Sequence, residues 1–238
     1  MPGRAFAGGH RAGGGGSDIY PAPYWWPDWR ARPCVIVASG PSAGEAPIAQ
    51  AQGRAYVLTI NNSWALAPWA DALYASDLAW WQANGGVSQF RGLKVCRHPE
   101  APNIFPDVRF VRMARCNGRW RDEMVLDEPY TIGAGGNSGF QALNLAVRFG
   151  AKVIILVGYD MRVDRGTHWH GNHEGGLNNP DAPLVALWRG HLDKAAPSLA
   201  NAGVTVINAS PVSALTAYPK MSFSEALEHA SSHTYHAS

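Results

Sequence analysis

The chain has 238 residues, of which 46% are hydrophobic and 16% are charged, and its formal net charge is +2. This composition is ample for a packed core, and so small a net charge gives no reason to expect nucleic acid or an acidic membrane as a partner. No apolar run reaches transmembrane length, and the glycine-rich amino terminus lacks the apolar stretch of a signal peptide.

Residues 1–33 differ from the rest of the chain in composition. Residues 1–17 are glycine-rich and flexible by composition, and the prolines that follow forbid a regular helix. This second part carries Trp25, Trp26 and Trp29, and so many aromatic side chains rarely stay exposed. We therefore expect an extended arm packed on the domain surface, with a partner-binding motif or a lid over a ligand cleft as alternatives.

From residue 34 onward, apolar strand-like runs alternate with helical segments. The predicted strands are 34–38, 55–60, 71–77, 93–97, 108–114, 152–160 and 204–210. The predicted helices are 45–52, 138–149, one from about Leu184 that bends or ends near Pro197, and 222–230, capped by Ser222 or Ser224. This alternation predicts one α/β domain over residues 34–238, with a Rossmann-like, doubly wound, mostly parallel sheet flanked by helices.

The three cysteines are Cys34, Cys96 and Cys116, an odd number without the spacing of a metal site. Cys34 and Cys96 lie inside apolar strand-like runs, so both are expected to be buried thiols. Free thiols of this kind are typical of a reducing compartment, and we expect a cytoplasmic protein.

Polar side chains follow the first two predicted strands, where ligands bind in sheets of this class. Ser39, Gly40 and Ser42 could wrap a phosphate or a sugar, although the dinucleotide fingerprint is absent and a plain turn fits equally well. Asn61 and Asn62 carry amides that donate and accept hydrogen bonds, which suits a base or a ribose. An asparagine-rich turn is the alternative for this pair.

The segment from Thr131 to Asp160 combines a glycine-rich loop, a helix start and a buried strand. A helix start presents N–H groups to an anion, and glycine lets the backbone approach a ligand closely. Asn137 and Ser138 lie at the expected start of the helix among four glycines. Because a cap needs one polar side chain rather than four glycines, we predict a phosphate-binding role for Gly136, Asn137 and Ser138.

The loop after Asp160 contains His168, His170 and His173. Its irregular spacing lacks the register of a helical zinc motif, so we expect no metal site. A histidine side chain has an ordinary pKa of about 6.5, and one of the three is therefore expected to act as a general base at neutral pH. Arg162 is placed to neutralise a leaving phosphate, and a solvated loop charge is the alternative.

With these motifs in order, the chain resembles the bacterial CMP-sialic-acid-dependent sialyltransferases. It is also similar to the related 6-hydroxymethylpterin diphosphokinase-like proteins and to unassigned phage proteins of the same superfamily. The resemblance spans residues 33–219 and rests on the segments VASGPSAG, TINNSW, LYASD, GNSGFQALNLAVRFGAKVIILVGYD, HWHGNH and VTVINASPVSAL.

This resemblance implies a metal-independent glycosyltransferase that transfers a sugar from a nucleotide-activated donor, by preference a CMP-sugar, to a hydroxyl acceptor, with no bound cofactor. It assigns the CMP contacts to Ser39, Gly40, Ser42, Asn61, Asn137 and Ser138. We add Asn62, Gly136 and Asp160 to this donor-binding set. A loop histidine would be the base, and His170 or His173 lies nearer the family position, with His173 preferred. Arg162 stands where the family has a tyrosine, which leaves the donor sugar open.

Three other hypotheses remain, and a homo-oligomer is compatible with all of them. Pyrophosphoryl transfer from ATP to a small heterocyclic alcohol would need clustered carboxylates for Mg²⁺, which the sequence does not display. A methyltransferase is suggested by the superficial match of GAGGNSG to a loop that binds S-adenosylmethionine. A phage-associated binding protein could keep the fold without the chemistry, since a fold does not establish an activity.

Overall fold

The computed structural model describes residues 21–171 and 179–234. The strands in this part are β1 Cys34–Val37, β2 Tyr56–Ile60, β3 Ala72–Tyr74, β4 Leu93–Cys96, β5 Val108–Phe110, β6 Arg112–Met113, β7 Arg115–Cys116, β8 Arg119–Trp120, β9 Thr131–Ile132, β10 Val153–Val157 and β11 Thr205–Asn208. The helices are α1 Leu78–Ala83, α2 Ala101–Ile104, α3 Ser138–Arg148, α4 Ala182–Asn201 and α5 Phe223–Thr234.

Seven strands form one sheet in the order β11-β10-β1-β2-β3-β4-β5, and every neighbouring pair is parallel. The middle strands β1, β2 and β10 are almost entirely apolar because both of their faces are buried. Ile36 packs with α3 on one face, whereas Val35 and Val37 pack with α5 on the other. The predicted doubly wound α/β sheet is therefore confirmed.

The order of the strands reverses beside β1. The chain moves outward from β1 to β5 and then returns to add β10 and β11 on the opposite side of β1. Loops that leave the carboxyl ends of β1 and β10 therefore run in different directions and leave a crevice between them. This is the position at which open α/β sheets bind their ligands.

Three predicted helices are present as α3, α4 and α5, whereas the predicted helix 45–52 is replaced by two short 3₁₀ turns, Pro41–Glu45 and Ile48–Ala51, because Pro47 interrupts the run. The short helices α1 and α2 were not predicted.

Helix α4 continues through Pro197 to Asn201, so it does not end at the proline, which was one of the two outcomes expected there. Leu192 and Leu199 are buried on either side of Pro197 and hold the helix against the core, which offsets the lost backbone hydrogen bond. At α5, Ser222 rather than Ser224 is the cap.

The capping of α5 is reciprocal. The Glu225 N–H donates to the Ser222 hydroxyl at 3.3 Å, and the Ser222 N–H donates to the Glu225 carboxylate at 3.0 Å. This is the capping box that a serine followed three residues later by a glutamate predicts.

The run 108–114 is not one strand. Its first part is β5 at the edge of the sheet, and its second part is β6, which pairs with β9. The hairpin β7–β8 follows and turns at Asn117 and Gly118, whose φ angles of 50° and 78° are left-handed. An Asn-Gly pair is the strongest short signal for such a turn, and it was the signal that could have predicted this hairpin.

The described part of the amino-terminal arm packs against the domain. The Trp29 ring is buried, and its backbone N–H donates to the Phe149 carbonyl at 2.7 Å. Trp26 donates from its indole nitrogen to the Arg148 carbonyl at 3.2 Å. Both contacts lie at the carboxyl end of α3.

Two further features bear on the sequence predictions. Cys34 and Cys96 are buried free thiols, as predicted, and Cys116 is exposed. None of the helices within residues 21–171 and 179–234 combines the length and the apolar character needed to cross a bilayer.

Candidate functional site

A cleft of about 700 Å³ opens at the carboxyl edge of the sheet, where the strand order reverses. Its walls come from the loops after β1, β2, β3, β4 and β10, the start of α3, the hairpin β7–β8 and the first turns of α4. The predicted site residues that line it are Ser39, Gly40, Asn61, Gly136, Asn137, Ser138, Asp160, Arg162 and His168. Residues from four distant segments of the sequence thus meet in one cleft.

Three of the predicted site residues that the structure describes, Ser42, Asn62 and His170, are not among those that line the cleft. Ser42 is buried and donates to Asp160. Asn62 accepts a hydrogen bond of 2.8 Å from the indole nitrogen of Trp80. The His170 ring stacks on that of His168, and His173 falls outside the described residues.

Asp160 locks the turn after β1 onto the end of β10. Its carboxylate accepts from the Ser42 N–H at 2.9 Å and also from the Ser42 hydroxyl. The Gly40 N–H donates to the Gly158 carbonyl at 2.9 Å, and a Cβ at Gly40 would lie 2.4 Å from that same oxygen. Only glycine fits this close approach, so Gly40, Ser42 and Asp160 together shape the floor of the cleft.

The start of α3 is capped by Asn137. The side-chain oxygen accepts from the Phe140 N–H at 2.9 Å, and the side-chain nitrogen donates to the Gly135 carbonyl at 3.1 Å. The amide of Asn137 is thus occupied by the cap. What α3 presents to the cleft is the backbone of its first turn, at Ser138 and Gly139, with the positive end of the helix dipole.

Some of the glycines before α3 are required by close packing inside the protein rather than by a ligand. Gly135 has a φ of +53°, and a Cβ there would lie 2.0 Å from Cγ of Phe140. A Cβ at Gly133 would lie 1.9 Å from the Glu123 carbonyl oxygen. Gly136, by contrast, is exposed and lines the cleft. Our inference that all four glycines point to a ligand was therefore too strong.

Two buried side chains that the sequence analysis missed hold α3 in place. The Tyr159 hydroxyl donates to the Gly139 carbonyl at 2.9 Å, and burial raises the pKa of Tyr159 well above its usual value, so the phenol stays a neutral donor. Gln141 accepts from the Tyr74 hydroxyl at 2.7 Å and donates to the Ala134 carbonyl at 2.9 Å. Tyr159 could have been identified in the sequence, because it directly precedes Asp160 at the end of a predicted strand.

Arg162 lines the cleft and forms an ion pair with Asp164. Its Nε donates to Oδ1 of Asp164 at 2.6 Å, and Nη1 donates to the Val212 carbonyl at 3.3 Å. The hydrogen bonds between the two side chains raise the pKa of Arg162 and lower the pKa of Asp164. The guanidinium therefore stays charged, and its position is held from two sides.

The histidine loop is anchored to the end of β1 by Trp169. The Trp169 N–H donates to the Ser39 carbonyl at 2.9 Å, and its indole nitrogen donates to the Ser63 hydroxyl at 3.1 Å. His168 lines the cleft, and its ring stacks on that of His170 with a centroid separation of 5.1 Å and an interplanar angle of 9°. Of the three predicted bases, His168 is the one that the described residues bring to the cleft wall.

Asn61 adopts a left-handed conformation, with a φ of 49°. Asparagine tolerates this region better than most residues, but the conformation still costs free energy. Its side-chain amide lines the cleft and has no hydrogen-bond partner within residues 21–171 and 179–234. The amide is therefore available to a ligand, in contrast to that of Asn62.

Further polar residues at the cleft were not predicted. Arg97 donates to the Ser76 hydroxyl at 2.7 Å and pairs with Asp77 at 3.1 Å, beyond the ends of β3 and β4. On the opposite lip, Arg119 and Trp120 come from the hairpin β7–β8. In the sequence, Asp77 and Arg97 stand at the ends of two predicted strands, and the Asn-Gly pair at 117–118 signals the hairpin.

The described part of the chain contains no group of three His, Cys, Asp or Glu side chains arranged to hold a metal ion. His173 lies outside that part.

Comparison with known proteins yields structural similarity only. No family model and no curated protein matches the chain. It is similar to the sialyltransferase CstII from Campylobacter jejuni in complex with the substrate analogue CMP-3FNeuAc, with 13% identity, 80% of this chain and 86% of that chain covered, and a TM-score of 0.46.

The same enzyme in complex with cytidine-5'-monophosphate is 12% identical, with 80% and 85% of the two chains covered and a TM-score of 0.49. A single-site variant of CST-II in complex with CMP is 14% identical, with 79% and 86% covered and a TM-score of 0.47. Because the identities and TM-scores are this low, the fold class rests on the seven-stranded parallel sheet itself.

Proposed function

We propose that the chain is a nucleotide-dependent transferase that moves a sugar from a nucleotide-activated donor, by preference a CMP-sugar, to a hydroxyl acceptor. One observation carries the proposal. One cleft at the reversal of strand order joins the first turn of α3, the amide of Asn61, which has no hydrogen-bond partner among the described residues, and a histidine at its wall. These three features match a phosphate, a nucleoside and an acceptor hydroxyl.

The phosphate of the donor would lie at the start of α3. The backbone N–H groups of Ser138 and Gly139 and the positive end of the helix dipole favour an anion there, by about 0.3–1 kcal/mol for the dipole alone. Arg162 lines the same cleft and remains charged. Its guanidinium would stabilise the negative charge that develops on the leaving nucleotide.

The nucleoside would be held by the loops after β1 and β2. Ser39 and Asn61 both line the cleft, and the amide of Asn61 can donate to and accept from a base or a ribose. The left-handed backbone of Asn61 supports this role, since strained conformations concentrate at ligand-binding positions.

A loop histidine would act as the general base. In the transfer, the acceptor oxygen forms a bond to the anomeric carbon of the donor, and the bond from that carbon to the phosphate oxygen breaks. The acceptor proton passes to the histidine, and the nucleotide leaves with the electron pair. His168 is supported by its place at the cleft wall, while His170 stacks on it and His173 is the preference that the sequence resemblance suggests.

A thermal-shift panel of CMP, CTP, UDP, ATP, GTP and S-adenosylmethionine tests the donor. CMP or CTP should stabilise the protein, by about 2.7 kcal/mol when the ligand is present at a hundred times its Kd. Stabilisation only by ATP with Mg²⁺ would favour pyrophosphoryl transfer, and stabilisation only by S-adenosylmethionine a methyltransferase. No response to any nucleotide would contradict the proposal.

The histidines can be separated by His168→Ala, His170→Ala and His173→Ala, with His229→Ala in α5 as a matched control. Removal of the base should lower kcat by a factor of about 10²–10⁴ and leave the stabilisation by CMP intact. If all three variants keep their kcat, no loop histidine is the base.

A further inference from the structure

Trp120 stands apart from the other tryptophans of the chain. All ten lie within the described residues, and nine of them are buried or partly buried. Trp120 is 44% exposed and lines the cleft. An indole this exposed inside a cleft leaves a large apolar surface open to solvent, whereas tryptophan normally packs into the core or an interface.

The Trp120 ring is nevertheless held in place. The Arg115 guanidinium carbon lies 3.9 Å from the ring centroid, so a cation–π contact covers one face of the indole. At the base of the hairpin, the Arg121 N–H donates to the Ala114 carbonyl at 3.1 Å, and the Ala134 N–H donates to the Arg121 carbonyl at 2.6 Å. The hairpin is thereby tied to the loop that leads into α3, and ligand binding would cost little additional ordering.

Two charged side chains flank Trp120 in the sequence and line the cleft with it. Neither Arg119 nor Asp122 has a hydrogen-bond or ion-pair partner in the part of the chain that the structure describes. The neighbouring Arg121, in contrast, pairs with Asp127 and Glu128. A free guanidinium offers only donors and a free carboxylate only acceptors, so the two together can bind the hydroxyl groups of a ligand.

We infer that Trp120, Arg119 and Asp122 form a subsite for a pyranose ring, which the acceptor of the transfer would supply. The C–H face of a pyranose ring is apolar and stacks on an indole, while its hydroxyls at the ring edge bind the guanidinium and the carboxylate. The subsite carries one charge of each sign, which suits an uncharged sugar. The inference rests on the proposed function, because it names the class of its acceptor.

The subsite can be tested by direct binding. Methyl galactoside, methyl glucoside and methyl mannoside serve as probes, observed by saturation-transfer NMR in the presence of saturating CMP. At least one glycoside should bind the unmodified protein. Trp120→Ala should weaken that binding about tenfold, and Trp120→Phe, which keeps an aromatic face, should retain most of it.

Matched controls separate this effect from a general disturbance. Phe110→Ala removes an aromatic side chain that is 39% exposed outside the cleft and should leave glycoside binding unchanged. Arg119→Gln and Asp122→Asn should each weaken binding severalfold, whereas Arg54→Gln, at an exposed arginine away from the cleft, should not.

Three results would overturn the inference: no glycoside binds the CMP-loaded protein, Trp120→Ala binds as well as the unmodified protein, or a flat heteroaromatic alcohol binds at Trp120 in place of every glycoside. The thermal response to CMP is measured on the same samples. Loss of that response alone contradicts the proposed donor, while glycoside binding that depends on Trp120 stands independently of it.

Discussion

The two ends of α3 are built in opposite ways. The amino end opens into the cleft, with the Asn137 cap behind it and the first-turn backbone of Ser138 facing the ligand space. The carboxyl end is closed by the amino-terminal arm, where Trp26 and Trp29 donate hydrogen bonds to the last carbonyls. The last carbonyl groups at the carboxyl end are thus satisfied by the protein, whereas the first-turn backbone at the amino end faces the cleft.

This difference predicts that substitutions at the two ends of α3 have different effects on the stability of the protein and on nucleotide binding. With 11 residues, α3 is about 16 Å long, so its two ends share few contacts. Changes at the closed end should lower the free energy of unfolding without altering the response to a nucleotide. Changes at the open end should affect both.

The largest effect is expected for Trp29→Ala. The Trp29 ring is buried and lies 4.8 Å from the Phe149 ring and 5.1 Å from the Tyr56 ring, centroid to centroid. Its removal should lower the free energy of unfolding by about 3–5 kcal/mol, as for other large core aromatics. Urea denaturation measures this loss, and the additional stabilisation by CMP should stay the same.

Tyr24→Ala is the control for Trp29→Ala, because Tyr24 is 85% exposed in the same arm. It should change the free energy of unfolding by less than about 1 kcal/mol. If Trp29→Ala is too unstable to measure, Trp29→Phe should show a smaller loss of the same kind. A weaker CMP response in Trp29→Phe would mean that the two ends of α3 are coupled.

The next effect is expected for Gly135→Ala at the open end. A side chain at a φ of +53° costs about 1–2 kcal/mol, and overlap with the Phe140 ring adds about 1–3 kcal/mol. The displaced loop should also weaken stabilisation by CMP, which thermal shift detects. Gly53→Ala isolates the backbone cost, since Gly53 has a φ of +74° and nothing within 4 Å of its added Cβ.

Asn137→Ala should have a smaller effect on stability, a loss of about 1 kcal/mol, which is typical of a removed helix cap. It should also weaken CMP binding, because the first turn of α3 loses its fixed orientation. Asn137→Ser keeps a capping oxygen and should restore both properties. Ser222→Ala, which removes the cap of α5, should lose similar stability with no change in CMP binding. An unchanged CMP response in Asn137→Ala would mean that Asn137 caps α3 but does not help to bind the nucleotide.

The sheet could be predicted from the sequence because it depends on local patterns. Continuous apolar runs such as Val153–Val157 are long enough to form a strand and too apolar for an exposed one. Their alternation with helical segments leaves few arrangements other than a parallel sheet. The position of the cleft follows from the same reasoning, since ligands bind where the strand order reverses.

Which side chain at a strand end faces the cleft could not be predicted. Ser39 lines the cleft while Ser42 turns inward to Asp160, because a 3₁₀ turn over Pro41–Glu45 reverses the direction of the backbone. Likewise, the left-handed backbone of Asn61 places this residue at the cleft, whereas the side chain of Asn62 accepts a hydrogen bond from Trp80. Sequence identifies the polar residues, but the turn conformation decides which of them meet a ligand.

The smallest effect is expected for Asp28→Asn, at the closed end of α3. Asp28 forms an exposed ion pair with Arg30, and hydrogen bonds from Arg30 lower the pKa of Asp28 from 3.8 to about 2. A carboxyl group whose pKa is lowered in the folded state stabilises the protein at pH values above its unfolded-state pKa of 3.8. This contribution is lost as the pH falls toward 2. Because exposed ion pairs contribute little, the variant should unfold almost as the unmodified protein does at pH 7. Any difference in melting temperature between the two should vanish in acid, and a difference that grows there would mean that Asp28 does more at this end of α3 than pair with Arg30.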